Sequence, residues 1–287
     1  MRNPQPLPPL MRVDSHQHFW HYHPVRDAWI TDEMAVLKRD FLPADFLPEL
    51  RANGIDACVA VQADQSEEET RFLLDLAEKH REIAGVVGWV NLLDERVEER
   101  LEYFSHFRKL RGFRHVVQAE PDDRFLMCKE FLRGVGMLSR FGFTYDILIY
   151  ARHLPVATEF VQQFPSQKFV VDHMAKPQIK ARELDDWSRG MRAIAKHPNV
   201  SCKVSGLVTE ADWKRWTPDD FRPYLDEVFT AFGVDRLMFG SDWPVCLLGG
   251  NYGRVKAIVD DYTQSFSPID KENIFGGNAI RFYGLAA

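Results

Sequence analysis

The segment MRVDSHQH at residues 11–18 is the first of eight short apolar runs that decide the fold. The other seven runs occupy residues 56–62, 83–90, 112–118, 143–150, 168–173, 200–206 and 236–242. Each run is rich in β-branched and apolar side chains, which is typical of strands buried on both faces of a parallel sheet. Their starts are about 25 to 45 residues apart, which leaves room for a helix between consecutive strands.

Helix signals lie between these runs. Ser66 and Glu69 form a capping-box pattern, in which each residue caps a backbone amide of the other. Thr217 followed by Pro218 is typical of an N-cap and a first helical position. We therefore expect helices to begin after residues 66 and 217.

Eight strand–helix units in 287 residues predict a closed (β/α)8 barrel, also called a TIM barrel, of the α/β class. We expect one barrel domain over residues 11–287, preceded by a proline-rich arm over residues 1–10. An open doubly wound sheet is the alternative. It is disfavoured because the first strand is followed by HFWHYHPVRDAW at residues 18–29 rather than by a glycine-rich phosphate loop.

Composition excludes several classes of function. Lys and Arg number 36 against 42 Asp and Glu, and no basic stripe is present, which disfavours a nucleic-acid partner. No run approaches the roughly 18 apolar residues of a membrane span, and the start does not resemble a signal peptide. Four scattered cysteines indicate a reducing compartment. We expect a cytoplasmic protein with a small-molecule substrate, and a homo-oligomer is compatible with the sequence.

His16 and His18 end the first predicted strand. Because side chains alternate along a strand, the two imidazoles share a face and can aim at one metal ion or one substrate oxygen. The alternative is that the pair arises by chance in a histidine-rich loop, since His21 and His23 follow. Both interpretations stay open on the residues alone.

Two further groups lie where barrel enzymes collect their catalytic residues, at the carboxyl ends of strands. Asp242 in FGSDWP ends the eighth strand and suits a general base for water, although Pro244 also fits an N-cap role for that carboxylate. His173 in VVDH ends the sixth strand. It could bind a substrate carbonyl or the attacking water, or it could be a hydrogen-bonded core histidine.

The fourth and seventh strands each carry a cation. Arg114 points inward if it shares a face with Val116 and Gln118, and it could then bind a carboxylate or a hydroxyl-rich ligand; a surface salt bridge is the alternative. Lys203 needs a partner if it is buried and otherwise points to solvent. A pocket wall or ordinary core packing would account for four aromatic residues, namely Trp20, Tyr22, Trp29 and Trp243.

The segments DSHQHFW, FVVDHMAKP and FGSDWPV together resemble the amidohydrolase superfamily, amidohydrolase 2 type. Within it the chain is most similar to the sugar-lactone hydrolases, the L-fuconolactonase-like and L-rhamnonolactonase-like branch. The segments FLPADFLPEL, GFRHVVQ, CKVSGL and NAIRFYGL extend the resemblance along nearly the whole chain after the arm.

The resemblance implies a distorted barrel whose active site contains His16, His18, His173 and Asp242. In the wider superfamily the strand-one histidines and the strand-eight aspartate hold a divalent metal. Here the fifth strand ends in DILIY without a histidine, with His153 beyond it, and the fourth strand GFRHVVQ offers no bridging lysine. The resemblance therefore implies either one weakly held ion, plausibly Zn²⁺ on His16, His18 and Asp242, or a metal-independent reaction.

The expected reaction is hydrolysis of a sugar lactone to the aldonic acid. Asp242 would be the general base, and the other catalytic groups would be His16, His18, Arg114 and His173. We expect substrate contacts from Trp20, Trp29, Arg114, His173 and Trp243.

Three alternatives remain at this stage. A metal-dependent decarboxylase of an aromatic or unsaturated acid is disfavoured by the missing strand-five histidine. A lactonase for a dicarboxylate lactone of aromatic catabolism would need several arginines, for which only Arg114 and Arg152 are available. A binding protein that has lost catalysis would lack Asp242 or the histidine pair.

Overall fold

The computed structural model describes residues 10–286. Of the predicted proline-rich arm only Leu10 lies within that range; the rest of the arm is outside the described residues. Within the range, none of the helices has both the length and the apolar character that a membrane crossing needs.

Eight parallel strands form one sheet in sequence order. They are β1 (Val13–Gln17), β2 (Ala57–Val61), β3 (Ile83–Gly88), β4 (Leu110–His115), β5 (Thr144–Ile147), β6 (Phe169–Val171), β7 (Val200–Val204) and β8 (Leu237–Phe239). A parallel bridge between Gln17 and Trp243 brings β8 back to β1. The predicted TIM barrel is confirmed. Seven strands lie inside the predicted runs, and β4 begins two residues earlier because Leu110 already pairs with Val86.

Ten α-helices accompany the strands in the described residues. They are α1 (Pro43–Ala52), α2 (Glu67–Lys79), α3 (Val97–Ser105), α4 (Lys129–Leu138), α5 (Leu154–Gln162), α6 (Asp185–Ile194), α7 (Pro218–Phe232), α8 (Tyr252–Tyr262), α9 (Pro268–Glu272) and α10 (Asn278–Tyr283). Short 3-10 segments follow several strands, at Asp32–Leu37, Val117–Ala119, Asp172–Ala175 and Val245–Leu248.

The helix starts follow their caps with one difference. The Ser66 hydroxyl accepts from the Glu69 amide (3.1 Å), and α7 begins at Pro218 behind a Thr217–Asp220 capping box. The Glu69 carboxylate, however, does not return to Ser66. It accepts instead from the amides of Ala63 (2.6 Å) and Asp64 (3.1 Å), so the first turn of α2 holds the loop after β2.

Alternation along the strands separates an outer core from the barrel interior. In β2, Cys58 and Ala60 belong to the core shared with the helices, whereas Val59 packs inside the barrel. The lower interior is apolar, and the C-terminal segment closes it with Phe282, Tyr283 and Leu285. The upper interior, toward the carboxyl ends of the strands, is charged. It contains Arg114, Asp146, Lys203 and Asp172 around His16.

Candidate active site

A cavity of about 520 Å³ opens at the carboxyl ends of the strands. Its wall comes from the loops after β1, β2, β4, β5, β6, β7 and β8, as expected for a TIM barrel. The polar and aromatic side chains that line it include His18, Trp29, Arg114, Gln118, Tyr150, His173, Lys176, Glu210, Trp213 and Asp242.

Three imidazoles surround the carboxylate of Asp242. Its Oδ1 lies 3.4 Å from His18 Nε2, 3.8 Å from His173 Nε2 and 4.0 Å from His16 Nε2. All four side chains are buried. The structure thus brings together the four groups that the sequence places on the first, sixth and eighth strands.

Hydrogen bonds on the far side of each ring fix the imidazoles. His18 Nδ1 donates to the Val61 carbonyl oxygen (2.8 Å), which turns Nε2 toward Asp242. His173 Nδ1 lies 2.9 Å from Ser205 Oγ. Each ring therefore presents its Nε2 atom to the carboxylate.

The backbone near these groups is unusual. His173 (φ 52°) and Asp242 (φ 58°) are in the left-handed region, which residues other than glycine seldom adopt and which concentrates at functional sites. Asp242 does not act as an N-cap, because the segment Val245–Leu248 follows Pro244 and has no side-chain cap.

Two glycines make room for the histidines. A Cβ atom at Gly206 (φ 66°) would lie 2.8 Å from His173 Cβ, and one at Gly240 would lie 2.8 Å from His16 Cβ. Both distances are shorter than side-chain atoms tolerate. The loops after β7 and β8 can therefore approach the histidines only with glycine at these positions.

A buried charge cluster lies beneath His16. Lys203 Nζ contacts Asp146 Oδ2 (2.5 Å), Asp172 Oδ1 (2.9 Å) and His16 Nδ1 (3.1 Å), and Tyr283 donates to Asp146 Oδ2 (2.7 Å). Lys203, Asp146 and Asp172 are wholly buried. The sequence leaves Lys203 either buried with a partner or pointing to solvent. The structure shows that its ammonium is buried and has partners.

Arg114 is also buried, so the surface salt bridge considered for it is wrong. Its guanidinium donates to Asp172 Oδ2 (3.1 Å) and to the Gln62 carbonyl oxygen, and it lies 3.3 Å from His16 Nε2. The side chain points inward, as its parity on the strand predicts. Most of its donors are used by the protein itself.

Burial sets the protonation of the site. It lowers the pKa of His173 to about 4 and, together with the nearby Lys203 charge, holds the pKa of His16 well below its usual range. Burial opposes the ionisation of Asp242, yet His173 and the hydrogen bond from His18 bring its pKa below the ordinary value. At neutral pH an ionised carboxylate therefore faces neutral His16 and His173 rings.

Asp146 and Asp172, which lie beneath the site, differ in the direction in which their pKa is shifted. Burial raises the pKa of Asp146 to about 6. Burial acts in the same direction on Asp172, but Lys203, His16 and Arg114 outweigh it and hold the pKa of Asp172 well below its usual range.

The donor set fits one divalent ion. One ligand atom each of His16, His18 and Asp242 lies within 4.8 Å of the others, and two imidazoles with a carboxylate are ligands that zinc accepts. His16 Nδ1 lies 3.3 Å from Asp172 Oδ1 and 3.1 Å from Lys203 Nζ, so these groups hold the ring from its Nδ1 side and Nε2 is the atom turned toward His18 and Asp242. Asp146, the residue that β5 contributes to the upper interior, is already paired with Lys203.

The aromatic residues divide between the wall and the core. Trp29 lines the cavity. Trp20 and Trp243 do not, because Trp20 donates to the Arg39 carbonyl oxygen (2.9 Å) and Trp243 packs 4.6 Å from the ring of Phe46. Both are almost fully buried behind the site. The structure therefore places these two side chains, which the sequence analysis expects to contact substrate, in the core and not on the cavity wall.

Tyr22 also packs against the core and does not line the cavity. His153 stays outside the site, where its Nε2 lies 2.9 Å from Asp123 Oδ1.

Several lining residues were not identified from the sequence. They are Gln118, Tyr150, Lys176, Glu210 and Trp213. Each lies in the loop that follows a strand, so the rule that barrel sites form at strand carboxyl ends could have indicated them. Their residue types alone carry no signal.

Comparisons with known proteins give matches over nearly the whole chain. A family model described as amidohydrolase matches residues 13–285. An L-fucono-1,5-lactonase of Burkholderia multivorans is 42% identical over 286 residues, covering 96% of each chain. An L-fucono-1,5-lactonase of Burkholderia ambifaria is 36% identical over 280 residues, again covering 96% of each chain.

Solved structures show the same architecture. A crystal structure of an amidohydrolase from Burkholderia multivorans with bound zinc superposes with a TM-score of 0.92 at 41% sequence identity. The match covers 96% of this chain and all of that one.

Proposed function

Because this chain belongs to the amidohydrolase family, we propose that it hydrolyses a sugar lactone to the aldonic acid with Asp242 as the general base. The observation that carries the proposal is the Asp242 carboxylate, which lies within 4.0 Å of three imidazoles at the floor of the cavity. Full-length similarity to two L-fucono-1,5-lactonases supports the same reaction class.

The reaction is an acyl transfer to water. Asp242 takes a proton from the attacking water, whose oxygen forms a bond to the lactone carbonyl carbon. The ring C–O bond then breaks, and Asp242 returns the proton to the ring oxygen, so the products are a hydroxyl group and a carboxylic acid. His173 and the Arg114 guanidinium border the cavity, where they can donate hydrogen bonds to the carbonyl oxygen as negative charge develops on it.

His16, His18 and Asp242 would hold the metal ion in this proposal. When bound, a divalent ion such as zinc polarises a carbonyl and lowers the pKa of water. The protein supplies the rest: Val61 and Asp172 orient the two histidines, and burial keeps His16 unprotonated.

The cations of the cavity favour a neutral lactone over a dicarboxylate one. The Arg114 guanidinium is bound to Asp172 and Gln62. Arg152 is half-exposed, pairs with Asp123 at 3.0 Å and does not line the cavity. Lys176 is then the remaining lining cation, and Glu210 stands in the same wall. Such a site offers no bidentate grip for two carboxylates.

The substitution Asp242→Asn tests the proposal. We expect kcat on the preferred lactone to fall about 100-fold or more, because the amide cannot accept the proton. The measurement is a pH-indicator assay on a library of sugar lactones, with circular dichroism to establish folding. Asp186→Asn is the matched control, since that carboxylate is 92% exposed and outside the cavity. Near-normal turnover by folded Asp242→Asn would refute the assigned role.

The same samples test the ligand set by metal analysis. We expect at most one zinc per chain, and less zinc bound to Asp242→Asn than to the wild type and the Asp186→Asn control. Equal zinc content in all three proteins would show that Asp242 is not a ligand.

A further inference from the structure

We propose that Glu210 and Lys176 form a hydroxyl-binding subsite that selects neutral polyhydroxylated lactones and disfavours anionic ones. This inference rests on the proposed lactonase function and assigns its substrate specificity to two residues outside the cluster around Asp242.

In the described part of the chain, these two charged side chains of the cavity wall lack a partner. Arg114 is paired with Asp172, and Asp242 with His18. Within residues 10–286, by contrast, neither the Glu210 carboxylate nor the Lys176 ammonium has a hydrogen-bond or ion-pair partner, although both line the cavity and are half-buried. A half-buried charge without a partner is costly unless a ligand supplies one. The lactone hydroxyls are the groups that can do so.

The surroundings of Glu210 agree with this assignment. Burial and the nearby Asp242 raise the pKa of Glu210, while Lys176 opposes that rise. The two loops therefore place their charges close enough to influence each other and the catalytic carboxylate.

The backbone holds both residues in place. Lys176 (φ 50°) ends the run of left-handed residues that begins at His173, and its ammonium lies 5.5 Å from the centre of the Tyr150 ring. The Lys180 amide donates to the Glu210 carbonyl oxygen (2.9 Å), which ties the loop after β6 to the loop after β7.

A second set of bonds fixes the loop that carries Glu210. The Thr209 hydroxyl donates to the Gly206 carbonyl oxygen, and Trp213 Nε1 donates to the Thr209 carbonyl oxygen (2.9 Å). The subsite is thus preorganised on the same loops that position His173, and little ordering is needed when a ligand binds.

The chemistry of the pair matches a polyol. A carboxylate accepts hydrogen bonds from one or two hydroxyls, and an ammonium donates to hydroxyl or ring oxygens. The same carboxylate, together with Asp242, repels a substrate that carries its own negative charge. Specificity then comes from an attractive term for hydroxyls and a repulsive term for anions.

The test compares Glu210→Ala, Glu210→Gln and Lys176→Met with the wild type. Two substrates measure the contribution of the hydroxyls. L-fucono-1,5-lactone carries them, and δ-valerolactone is a six-membered lactone without them. We expect Glu210→Ala and Lys176→Met each to lose about 10-fold to 100-fold in kcat/KM on the first, as for a lost charged hydrogen bond, and less than about threefold on the second.

The charge probe is D-glucaro-1,4-lactone, a carboxylate-bearing lactone, measured as a competitive inhibitor. We expect Glu210→Gln, which keeps the size of the side chain and removes its charge, to tighten this inhibition by about fivefold or more. Glu272→Gln is the matched control, because that carboxylate is exposed at the end of α9. It should behave as the wild type with all three probes.

The outcomes separate the two proposals. Suppose that the wild type hydrolyses L-fucono-1,5-lactone but that kcat/KM of the Glu210 and Lys176 variants changes by the same factor on this lactone and on δ-valerolactone. The subsite is then refuted and the lactonase function stands. A wild type that opens no sugar lactone refutes both. Thermal melts identify any variant that fails to fold. The other two variants then test the subsite.

Discussion

Lys203 supports the candidate site from beneath, because it is fully buried and does not line the cavity. Its ammonium contacts two carboxylates and the Nδ1 atom of His16, all without exposure to solvent. With Arg114 it balances Asp146 and Asp172, two positive charges against two negative ones. The four charges beneath Asp242 therefore sum to zero, but each buried charge depends on the others for its partner.

Replacing Lys203 with Met tests this dependence. The substitution leaves Asp146 and Asp172 buried without their shared cation, and we expect the free energy of unfolding to fall by about 3 to 5 kcal/mol. Urea denaturation measures the loss, and Lys196→Met, at an exposed position after α6, is the control. A loss below about 1 kcal/mol would contradict the view that Lys203 is needed to stabilise the two carboxylates.

Among the secondary-structure elements, α2 is linked to the cavity wall by Glu69 in its first turn. Glu69 accepts from the amides of Ala63 and Asp64, and Ala63 lines the cavity. Burial raises the pKa of Glu69 to about 7. The folded protein therefore binds this proton more tightly than the unfolded chain, whose glutamate titrates near 4.5.

The sign of the effect follows from linkage. Below about pH 4.5 Glu69 is protonated in both states, and as the pH rises to about 7 the unfolded state alone gains from ionisation, so stability falls. We expect the free energy of unfolding of the wild type to fall by about 3 kcal/mol between pH 4.5 and pH 8 through this residue, and Glu69→Gln to abolish that fall. Denaturation at both pH values measures it.

Glu68→Gln is the control for that experiment, because the neighbouring carboxylate is 84% exposed. It should follow the pH dependence of the wild type. If Glu69→Gln also follows it, the raised pKa of Glu69 is refuted.

Across the whole molecule, the apolar packing and the candidate active site lie at opposite ends of the barrel interior. The lower layer contains Val13, Val59, Val170 and Met238, and the C-terminal segment closes it with apolar side chains. Lys168, just before β6, donates to the Phe282 carbonyl oxygen, which places that segment at the amino ends of the strands. The proposed catalytic groups occupy the other end. Conditions that loosen the lower layer should therefore act on stability before they act on the site.

Phe282→Ala tests that division. Phe282 is 7% exposed and packs against the lower layer, so its truncation should cost about 3 to 5 kcal/mol of unfolding free energy. At a temperature where the variant is folded, kcat/KM should stay within about threefold of the wild type, because the side chain does not approach the cavity. Denaturation and the lactone assay together measure both effects. A large loss of activity in the folded variant would contradict the separation.

Much of this protein follows from local sequence. The eight strands could be located because apolar, β-branched runs and their spacing are properties of neighbouring residues, and Thr217 with Pro218 starts α7 for the same reason. The family could be identified from DSHQHFW and FGSDWPV. The convergence of His16, His18, His173 and Asp242 follows from the rule that parallel strands end at one mouth.

The partnerships across the barrel could not be predicted in this way. Lys203 and Asp146 are 57 residues apart and meet only because β5 and β7 flank β6 in the barrel and both turn a charged side chain into its interior. Trp20 and Trp243 turn into the core while Glu210 and Lys176 turn into the cavity, although all four follow strand ends. Local sequence was thus enough to predict the barrel and the four groups that converge at its mouth. The direction and the partner of each side chain follow from the folded chain alone, because they depend on packing between residues far apart in the sequence.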